Sequence, residues 1–342
     1  MNTQLAETTG EKPCIVIAGA GSIGCFVGGY LRFYGHNVSF YGRPNVVEIL
    51  RKNGLGATDL EERTVFIQPQ DLNVTASPEI LNDADIILVC VKSSATEDIG
   101  DLIKEHTHSR PIVVSLQNGV TNADRLRNRL PDLDVRAGIV EFNVVQTSDG
   151  VFHRGTSGKI ILQSGEPLIG EMLCIPAVEF ADTHEITDFM WGKLLLNLNN
   201  SLNALSDLPL KTQLEDRDWR RILANMMEEA LSVMKAAGIT PKSQAPLPLR
   251  FIPKVLRLPT PLFRIVAARM LRIDPEARSS MWEDFERGRR TEVNELQGAI
   301  LELAQKLGRE APWNKCVLEH VQQVEKTGSG SPGLSASNIY VD

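Results

Sequence analysis

The stretch WGKLLLNLNNSLNAL, residues 191–205, combines the periodicity of a helix with polar side chains that could take part in catalysis. With about 100° of rotation per residue, Lys193, Asn197, Asn200 and Ser201 share one face, and large apolar side chains occupy the opposite face. An ordinary amphipathic surface helix is the plainer interpretation. However, this face carries one cation among amides and hydroxyls, a composition that favours the lining of a binding cleft.

Lys193 is the residue on this face that could do acid–base chemistry. Its reference pKa of about 10.4 leaves the ammonium charged at neutral pH. It could therefore stabilise the alkoxide that develops during reduction of a carbonyl and then protonate it. Amides in a cleft need hydrogen-bond partners, so we expect Asn197 and either Asn200 or Ser201 to contact the substrate.

A glycine-rich turn near the N-terminus could bind a dinucleotide. Residues 19–24 form a GxGxxG pattern between a predicted apolar strand, 14–19, and a predicted helix. In this context the glycines allow close backbone approach, and the helix N-terminus offers unpaired N–H groups to a pyrophosphate. A chance cluster of turn glycines is the alternative. The expected cofactor contacts are Gly19, Ala20, Gly21, Ser22, Ile23 and Gly24.

The end of the second predicted strand, 37–42, indicates which dinucleotide would bind. NAD sites usually place an Asp or Glu on the ribose hydroxyls, about 20 residues after the glycines. Here the strand ends in Tyr41-Gly42-Arg43, without an acid. Because the planar guanidinium of Arg43 could pair with a 2′-phosphate, the sequence favours NADP(H) over NAD(H). A solvated surface arginine is the alternative.

Two further loops follow predicted strands at 84–92 and 111–119. Ligands of open α/β sheets bind at the carboxyl ends of the strands. Lys92 could therefore add positive charge near the cofactor phosphates, and Asn118 could offer its amide to the cofactor or to the substrate. Each residue alone would more often be an ordinary turn residue.

The order of elements predicts two domains. Strands alternate with helices as far as residue 142, and antiparallel hairpins are expected over 142–165. This alternation predicts an α/β Rossmann-type domain at 13–183, with a parallel sheet and helices on both faces. Helical periodicity then predicts an all-α domain at 184–326, which includes a long helical run from 276 to 308. Residues 327–342 are rich in Gly and Ser and are expected to form a flexible tail.

Composition narrows the class of protein. The chain of 342 residues has 42% hydrophobic and 23% charged residues, typical of a globular protein, and a net charge of −7 that argues mildly against a nucleic-acid partner. Five scattered cysteines without a CxxC pair indicate reduced, mostly buried thiols and no zinc site. Neither a signal peptide nor a membrane span is apparent, so we expect a cytoplasmic protein with a small-molecule substrate.

Several motifs together resemble the ketopantoate reductase (2-dehydropantoate 2-reductase) family. The resemblance extends from about Cys14 to Val324, and the motifs follow the order found in that family. Any one of them is weak, but the ordered set is specific. The motifs are GAGSIG, Arg43 after the second strand, VK at 91–92, LQNG at 116–119, WGKLLLN at 191–197, SSMWEDFERGRRTE at 279–292 and LGREAPWN at 307–314.

The resemblance implies a reaction and roles for residues. It implies NADPH-dependent reduction of ketopantoate, as in pantothenate biosynthesis. Lys193 would be the general acid and Glu292 its polar partner near the substrate. Asn197 and Ser280 match positions that hold the hydroxyl and carboxylate of the substrate, and Asn118 matches a residue that contacts cofactor and substrate.

The chain also departs from the family pattern. The family commonly has a second substrate-binding asparagine eight residues after the lysine, where this chain has Ser201 preceded by Asn200. A family motif after the glutamate reads Asn294 and Gln297-Gly298 here. The identity of the 2-keto acid is therefore less secure than the type of reaction.

A basic and apolar segment, 247–273, resembles an insertion relative to shorter members of the family. It contains six basic residues and no acid. A helical excursion that covers the surface, a lid over an anionic substrate and a contact within a homodimer all remain open. Membrane-surface binding is disfavoured because prolines interrupt any long amphipathic helix.

Two other functions fit parts of the pattern. A β-hydroxyacid dehydrogenase would share the Rossmann-plus-helical plan and the lysine, but would not require Glu292. A non-catalytic NADP-binding sensor or interaction protein would retain the cofactor site without needing Lys193. We expect the first function, reduction of a 2-keto acid.

Overall fold

The computed structural model describes residues 12–244, 247–268, 271 and 276–341. Its contacts divide the chain into two compact units. The first consists of residues Met1–Gln117 and Asn122–His184, and the second of residues Asn118–Thr121 and Glu185–Asp342. Within the described part of the chain, no helix combines the length and the apolar content needed to cross a membrane.

The first unit contains two sheets. The larger sheet has the order β12-β11-β8-β7-β6-β1-β2-β5, in which the six strands from β8 to β5 are parallel, β11 is antiparallel to β8, and β12 is parallel to β11. The smaller sheet has the order β4-β3-β10-β9. The strands are β1 Cys14–Ala18, β2 Asn37–Tyr41, β3 Leu55–Thr58, β4 Thr64–Ile67, β5 Asn73–Thr75, β6 Ile86–Val89, β7 Ile112–Ser115, β8 Asp134–Val140, β9 Val144–Ser148, β10 Val151–Arg154, β11 Ile160–Gln163 and β12 Phe180–Thr183.

Helices cover both faces of the larger sheet. They are α1 Ser22–Phe33, α2 Pro44–Asn53, α3 Thr96–His106, α4 Asn122–Arg129 and α5 Ile169–Met172. Side chains of a strand point alternately to its two faces, and those of β1 do so here. Ile15 and Ile17 belong to the apolar core that includes α1, while Val16 and Ala18 belong to the core that includes α3 and α4. The predicted Rossmann-type domain is confirmed. The predicted hairpin is also present, as β9 and β10.

The second unit is helical throughout its described residues. Its helices are α6 Ile186–Asn197, α7 Asn199–Ser206, α8 Leu210–Glu215, α9 Arg217–Ala236, α10 Ile252–Leu256, α11 Thr260–Val266, α12 Ser280–Glu286, α13 Ala299–Lys306 and α14 Pro312–Thr327. The long helix α9 buries Met226, Met227, Ala230 and Met234, whose spacing puts them on one face. Gly238 and Gly308 follow α9 and α13 with φ of 74° and 64°, which confirms the predicted helix ends.

Two predicted helical runs are interrupted. Residues 191–205 were predicted as one helix, but Leu198 separates α6 from α7. The run from 276 to 308 is also divided, because α12 ends at Glu286, Gly288 adopts a φ of 57°, and a π-helical turn, Asn294–Gly298, precedes α13. Periodicity alone detected neither interruption, since apolar residues continue at helical spacing through both.

The basic insertion forms α10 and α11 and is anchored from below by a buried arginine. The Arg220 guanidinium donates to the carbonyl oxygens of Leu256 and Leu258, both at 3.0 Å, and lies 4.2 Å from the centre of the Phe263 ring. Burial lowers the pKa of Arg220. The described part of the insertion therefore packs on the core of the second unit. Residues 269–270 and 272–273 lie outside the described residues.

The C-terminal segment makes specific contacts within the second unit. The backbone N–H of Leu334 donates to the carbonyl of Leu205 at 2.8 Å, and the Ser331 hydroxyl donates to the carbonyl of Ala204 at 2.6 Å. Ile339 is buried. The flexibility of this tail stays a prediction, and these contacts show where its described residues dock.

The cysteines are all free thiols, but they differ in exposure. Cys25 lies in the core beneath α1, where burial raises the pKa of its thiol. Cys174 is exposed, and the other three are partly buried. The expectation of mostly buried thiols is therefore correct for Cys25 and wrong for Cys174.

Candidate active site

The turn between β1 and α1 is made almost entirely of backbone. Gly21 is the N-cap of α1 and provides no side-chain cap. A Cβ atom on Gly24 would lie 2.2 Å from the carbonyl oxygen of Gly19, so only glycine fits there without a shift of the backbone. A Cβ atom on Gly21 would meet no atom within 4 Å. The N-terminus of this long helix thus faces open space, which suits an anionic group such as a pyrophosphate.

The end of β2 lies directly beside this turn. The backbone N–H groups of Gly19 and Ala20 donate to the carbonyl of Tyr41 at 2.9 and 3.0 Å. Arg43 follows two residues later as the N-cap of α2, and its side chain is exposed. Its guanidinium has no hydrogen bond or ion pair with any residue that the structure describes. The arrangement leaves a cation, and no carboxylate, at the end of this strand.

The loop after β6 also reaches the glycine turn. A Cβ atom on Gly19 would lie 2.6 Å from the backbone nitrogen of Val91. Lys92, the next residue, is exposed and precedes a short 3-10 turn at Ser93–Ala95. The turn, Arg43 and Lys92 are therefore neighbours at the carboxyl ends of β1, β2 and β6, where ligands of open α/β sheets bind.

The second unit contains a polar pocket assembled from separate segments. Its lining residues are Asn118, Asn197, Asn200, Ser280, Met281, Asp284, Glu292 and Leu296. Lys193 joins them through a hydrogen bond, because its Nζ donates to Asn118 Oδ1 at 2.8 Å. Asn118 Nδ2 in turn donates to Glu292 Oε2 at 2.9 Å. One asparagine amide thus connects a cation to a carboxylate.

Local structure explains why these side chains converge. Lys193 and Asn197 are four residues apart on α6 and so share a face. Asn200 lies at the start of α7, and Ser280 is the first residue of α12. Asn118 follows β7 in the chain, yet its contacts assign it to the second unit.

The start of α12 is fixed against α7 by buried polar groups. Ser279 caps α12, because its Oγ accepts from the backbone N–H of Trp282 at 3.2 Å. The same hydroxyl donates to the carbonyl of Asn200 at 3.0 Å, and the backbone N–H of Ser279 donates to Asn203 Oδ1 at 2.8 Å. These bonds hold Ser280 beside Asn200.

The structure separates the two candidates that the sequence left open. Asn200 lines the pocket, whereas Ser201 is fully buried and does not belong to the lining. The Ser201 hydroxyl donates to the carbonyl of Leu198 at 2.8 Å and accepts from Gln297 Nε2 at 2.5 Å. The predicted residues Asn118, Lys193, Asn197, Asn200, Ser280 and Glu292 are brought together, and Ser201 is not.

Sequence reasoning missed Asp284. This aspartate is only 7% exposed and lines the pocket one helical turn after Ser280 on α12. The signal was available, since residues four apart on a predicted helix share a face. A second carboxylate beside Glu292 gives the pocket acceptors for a hydroxyl group on a ligand.

A wider depression in the first unit has no comparable chemistry. Lys12, Cys14, Asn37, Asp83 and Asp85 line it at the amino ends of β1 and β2. This is the edge of the sheet opposite to the one where α/β proteins bind their ligands.

Known protein families give an independent comparison. The ketopantoate reductase PanE/ApbA family model matches residues 15–167, and the model of the C-terminal part of the same family matches residues 185–325. The chain belongs to the ketopantoate reductase family. The resemblance inferred from the sequence motifs is confirmed, and the protein is an oxidoreductase of this family.

Individual members of the ketopantoate reductase family are similar over nearly their whole length. The chain is 26% identical to the 2-dehydropantoate 2-reductase of Halobacterium salinarum, over 92% of this chain and 99% of that protein. A PanE/ApbA family ketopantoate reductase from Ralstonia eutropha has a solved structure with a TM-score of 0.78 and 26% identity, over 92% of this chain and 99% of that one. These matches agree with the predicted fold class.

A structure with another activity shares the fold. D-mandelate dehydrogenase, solved with NADH and anilino(oxo)acetate, has a TM-score of 0.77 and 20% identity, over 92% of this chain and 99% of that one. At this identity the likeness shows the fold alone. Family membership and this fold together point to a nicotinamide cofactor.

Proposed function

We propose that this protein reduces a 2-keto acid, 2-dehydropantoate or a close analogue, to the 2-hydroxy acid with NADPH. One observation carries the proposal: the hydrogen-bonded series Lys193–Asn118–Glu292 in a pocket that is otherwise lined by amides, a hydroxyl and a carboxylate. Reduction of a ketone requires a proton donor at the carbonyl oxygen and groups that hold the rest of the substrate. The pocket contains both.

Lys193 is the proton donor in this proposal. Asn118 Nδ2 donates to Glu292, so its Oδ1 faces the Lys193 ammonium, and the amide orientation follows from this network. The bond to Oδ1 occupies one of the three N–H groups of the ammonium, and a second can be directed at a substrate carbonyl. The ammonium stabilises the negative charge that develops on the carbonyl oxygen and then transfers its proton there.

The surrounding side chains account for the recognition of a small polar acid. The amides of Asn197 and Asn200 and the hydroxyl of Ser280 provide donors for a carboxylate. Asp284 and Glu292 provide acceptors for a hydroxyl group. Met281 and Leu296 add an apolar wall. The mixture favours a short hydroxylated 2-keto acid over a purely apolar one.

The first unit supplies the residues for NADPH. The open N-terminus of α1, built by Gly19, Ala20, Gly21, Ser22, Ile23 and Gly24, suits the pyrophosphate. Arg43 pairs with the 2′-phosphate, and Lys92 adds positive charge. When bound, the reduced nicotinamide supplies the hydride for the ketone carbon.

The test is NADPH oxidation by the purified wild-type protein with a panel of acids. The panel contains 2-dehydropantoate, 2-oxoisovalerate, pyruvate and phenylglyoxylate, with a 3-hydroxy acid and NADP⁺ as the reverse test. We expect the highest kcat/KM for a hydroxylated 2-keto acid. NADPH binding without turnover of any 2-keto acid would contradict the proposal. Oxidation of the 3-hydroxy acid alone would support the β-hydroxyacid dehydrogenase alternative.

A further inference from the structure

The interruption between α6 and α7 has an identifiable cause. Leu198 retains right-handed helical dihedrals, with φ −56° and ψ −26°, and no Pro or Gly lies nearby in the chain. Helices also bend where a side chain inserts into the backbone hydrogen-bond ladder. Two side chains do so here, since the carbonyl oxygen of Leu198 accepts from Ser201 Oγ at 2.8 Å and from Gln297 Nε2 at 3.2 Å.

Gln297 connects this joint to the opposite wall of the pocket. It is fully buried and lies in the π-helical turn Asn294–Gly298. The same turn carries Leu296, which lines the pocket, and begins two residues after Glu292. π-Helical turns are rare and frequently accompany functional sites, where they place a side chain that a regular helix would not.

The joint stands between the polar groups that line the pocket. Lys193 and Asn197 precede Leu198 on α6, and Asn200 follows it on α7. Ser201 is held by Leu198 and Gln297, which turns it into the core and leaves Asn200 on the pocket. The hydrogen bonds of Gln297 thus bear on the relative placement of two amides that face the substrate.

We propose that Gln297 is a positioning residue for substrate binding. Its amide holds the joint at Leu198, so that Asn197 and Asn200 contact the same substrate. This inference rests on the proposed function of the pocket. It assigns to Gln297 a role that differs from stabilising the core, because misplacement of binding groups by about 1 Å costs up to 100-fold in catalytic efficiency.

A matched control is available in Asn314. Both side-chain amides are fully buried, donate two hydrogen bonds, and have a side-chain oxygen without a partner among the described residues. Asn314 Nδ2 donates to the carbonyl of Met226 at 3.0 Å and to Glu229 Oε2 at 2.9 Å. Asn314 does not line the pocket. Asn314→Leu should therefore lower Tm without changing substrate binding.

The experiment compares Gln297→Met with Asn314→Leu. Met keeps the length of Gln297 but removes both donors. We expect the KM for the 2-keto acid to rise about tenfold in Gln297→Met, with a smaller change in kcat and an unchanged Kd for NADPH. In Asn314→Leu the KM should equal that of the wild type. A KM unchanged in Gln297→Met, or raised equally in Asn314→Leu, would overturn the proposal.

A milder variant covers the case in which Gln297→Met does not fold. Ser201→Ala removes one oxygen from the same joint, and we expect its KM to rise about threefold, in line with one neutral hydrogen bond. An unchanged KM there would count against the proposal.

Crystal structures separate this proposal from the function on which it rests. If the wild type turns over no 2-keto acid, the proposed function fails, and structures of the wild type and Gln297→Met then decide the positioning role. A shift of Leu198 and of the Asn200 side chain in the variant is expected. An unchanged joint would overturn the role of Gln297.

Discussion

The glycine turn of the first unit and the polar pocket of the second unit are built from different material. The turn presents backbone N–H groups at the start of α1, and a Cβ atom on Gly21 would stand in open space there. The pocket is built from side chains, in which Asn118 joins Lys193 and Glu292 from positions 75 and 174 residues distant in the chain. A site made of backbone tolerates little added volume, whereas a site made of side chains depends on chemical groups. The two sites should therefore fail in different ways.

The largest effect is expected from adding one methyl group to the turn. In Gly24→Ala the new Cβ would lie 2.2 Å from a backbone oxygen, so the turn must shift. We expect the Kd for NADPH to rise more than about 100-fold, together with a lower Tm, because both α1 and the turn are displaced. Isothermal titration with NADPH and a thermal melt measure these changes.

Gly21→Ala is the control for that substitution. Its Cβ would meet no protein atom within 4 Å, so the fold should tolerate it with only a small change in Tm. We expect the Kd for NADPH to rise about tenfold because the methyl group occupies the approach of the pyrophosphate. Normal NADPH affinity in Gly21→Ala would contradict the placement of the phosphates at this turn.

A change of chemical group without a change of shape should affect the pocket next most strongly. In Glu292→Gln the side chain keeps its size, but the charged acceptor for Asn118 is lost. Hydrogen bonds to charged groups contribute about 1.5–3 kcal/mol, so kcat/KM should fall about 30-fold. Steady-state kinetics at saturating NADPH provide the measurement. Glu302→Gln on the exposed face of α13 removes only a surface ion pair and should leave kcat/KM unchanged.

Arg43→Ala tests the cofactor specificity. We expect the Kd for NADPH to rise about tenfold while the Kd for NADH stays the same, because only NADPH carries the 2′-phosphate. Fluorescence titration with both cofactors gives the ratio directly. Equal weakening of both cofactors would remove the role of Arg43 in discrimination.

The smallest effect is expected for the hydroxyl in the pocket. Ser280→Ala removes one neutral hydrogen-bond donor, which should raise the KM for the 2-keto acid about threefold. Ser232→Ala on α9 is the control, since Ser232 is exposed and bonds only Arg309 among the described residues. A larger rise in the control variant would show that the effect does not arise in the pocket.

The difference between the two sites also explains what the sequence could predict. The glycine turn, β1 and the start of α1 are consecutive in the chain, so a local pattern in its context was sufficient. The alternation of strands and helices likewise predicted the parallel sheet, since buried parallel strands produce short apolar runs. The angular calculation correctly placed Lys193 and Asn197 on one face, because both lie within α6.

Contacts between distant segments lay beyond local pattern. The choice between Asn200 and Ser201 depends on Gln297, which is 96 residues from Ser201 in the chain. The joint at Leu198 arises from that same contact, so a helical wheel drawn through it could not separate the two residues. The partnership of Lys193 with Glu292 came from the family resemblance, and the structure adds that Asn118 is the group that connects them.

Lys193→Met, with Lys235→Met on the exposed surface of α9 as control, tests the central claim most directly. The account predicts that kcat for the 2-keto acid falls about 1000-fold in Lys193→Met while the Kd for NADPH is unchanged, because the proton donor is removed and the cofactor site is intact. Turnover by Lys193→Met at the rate of Lys235→Met and the wild type would contradict it.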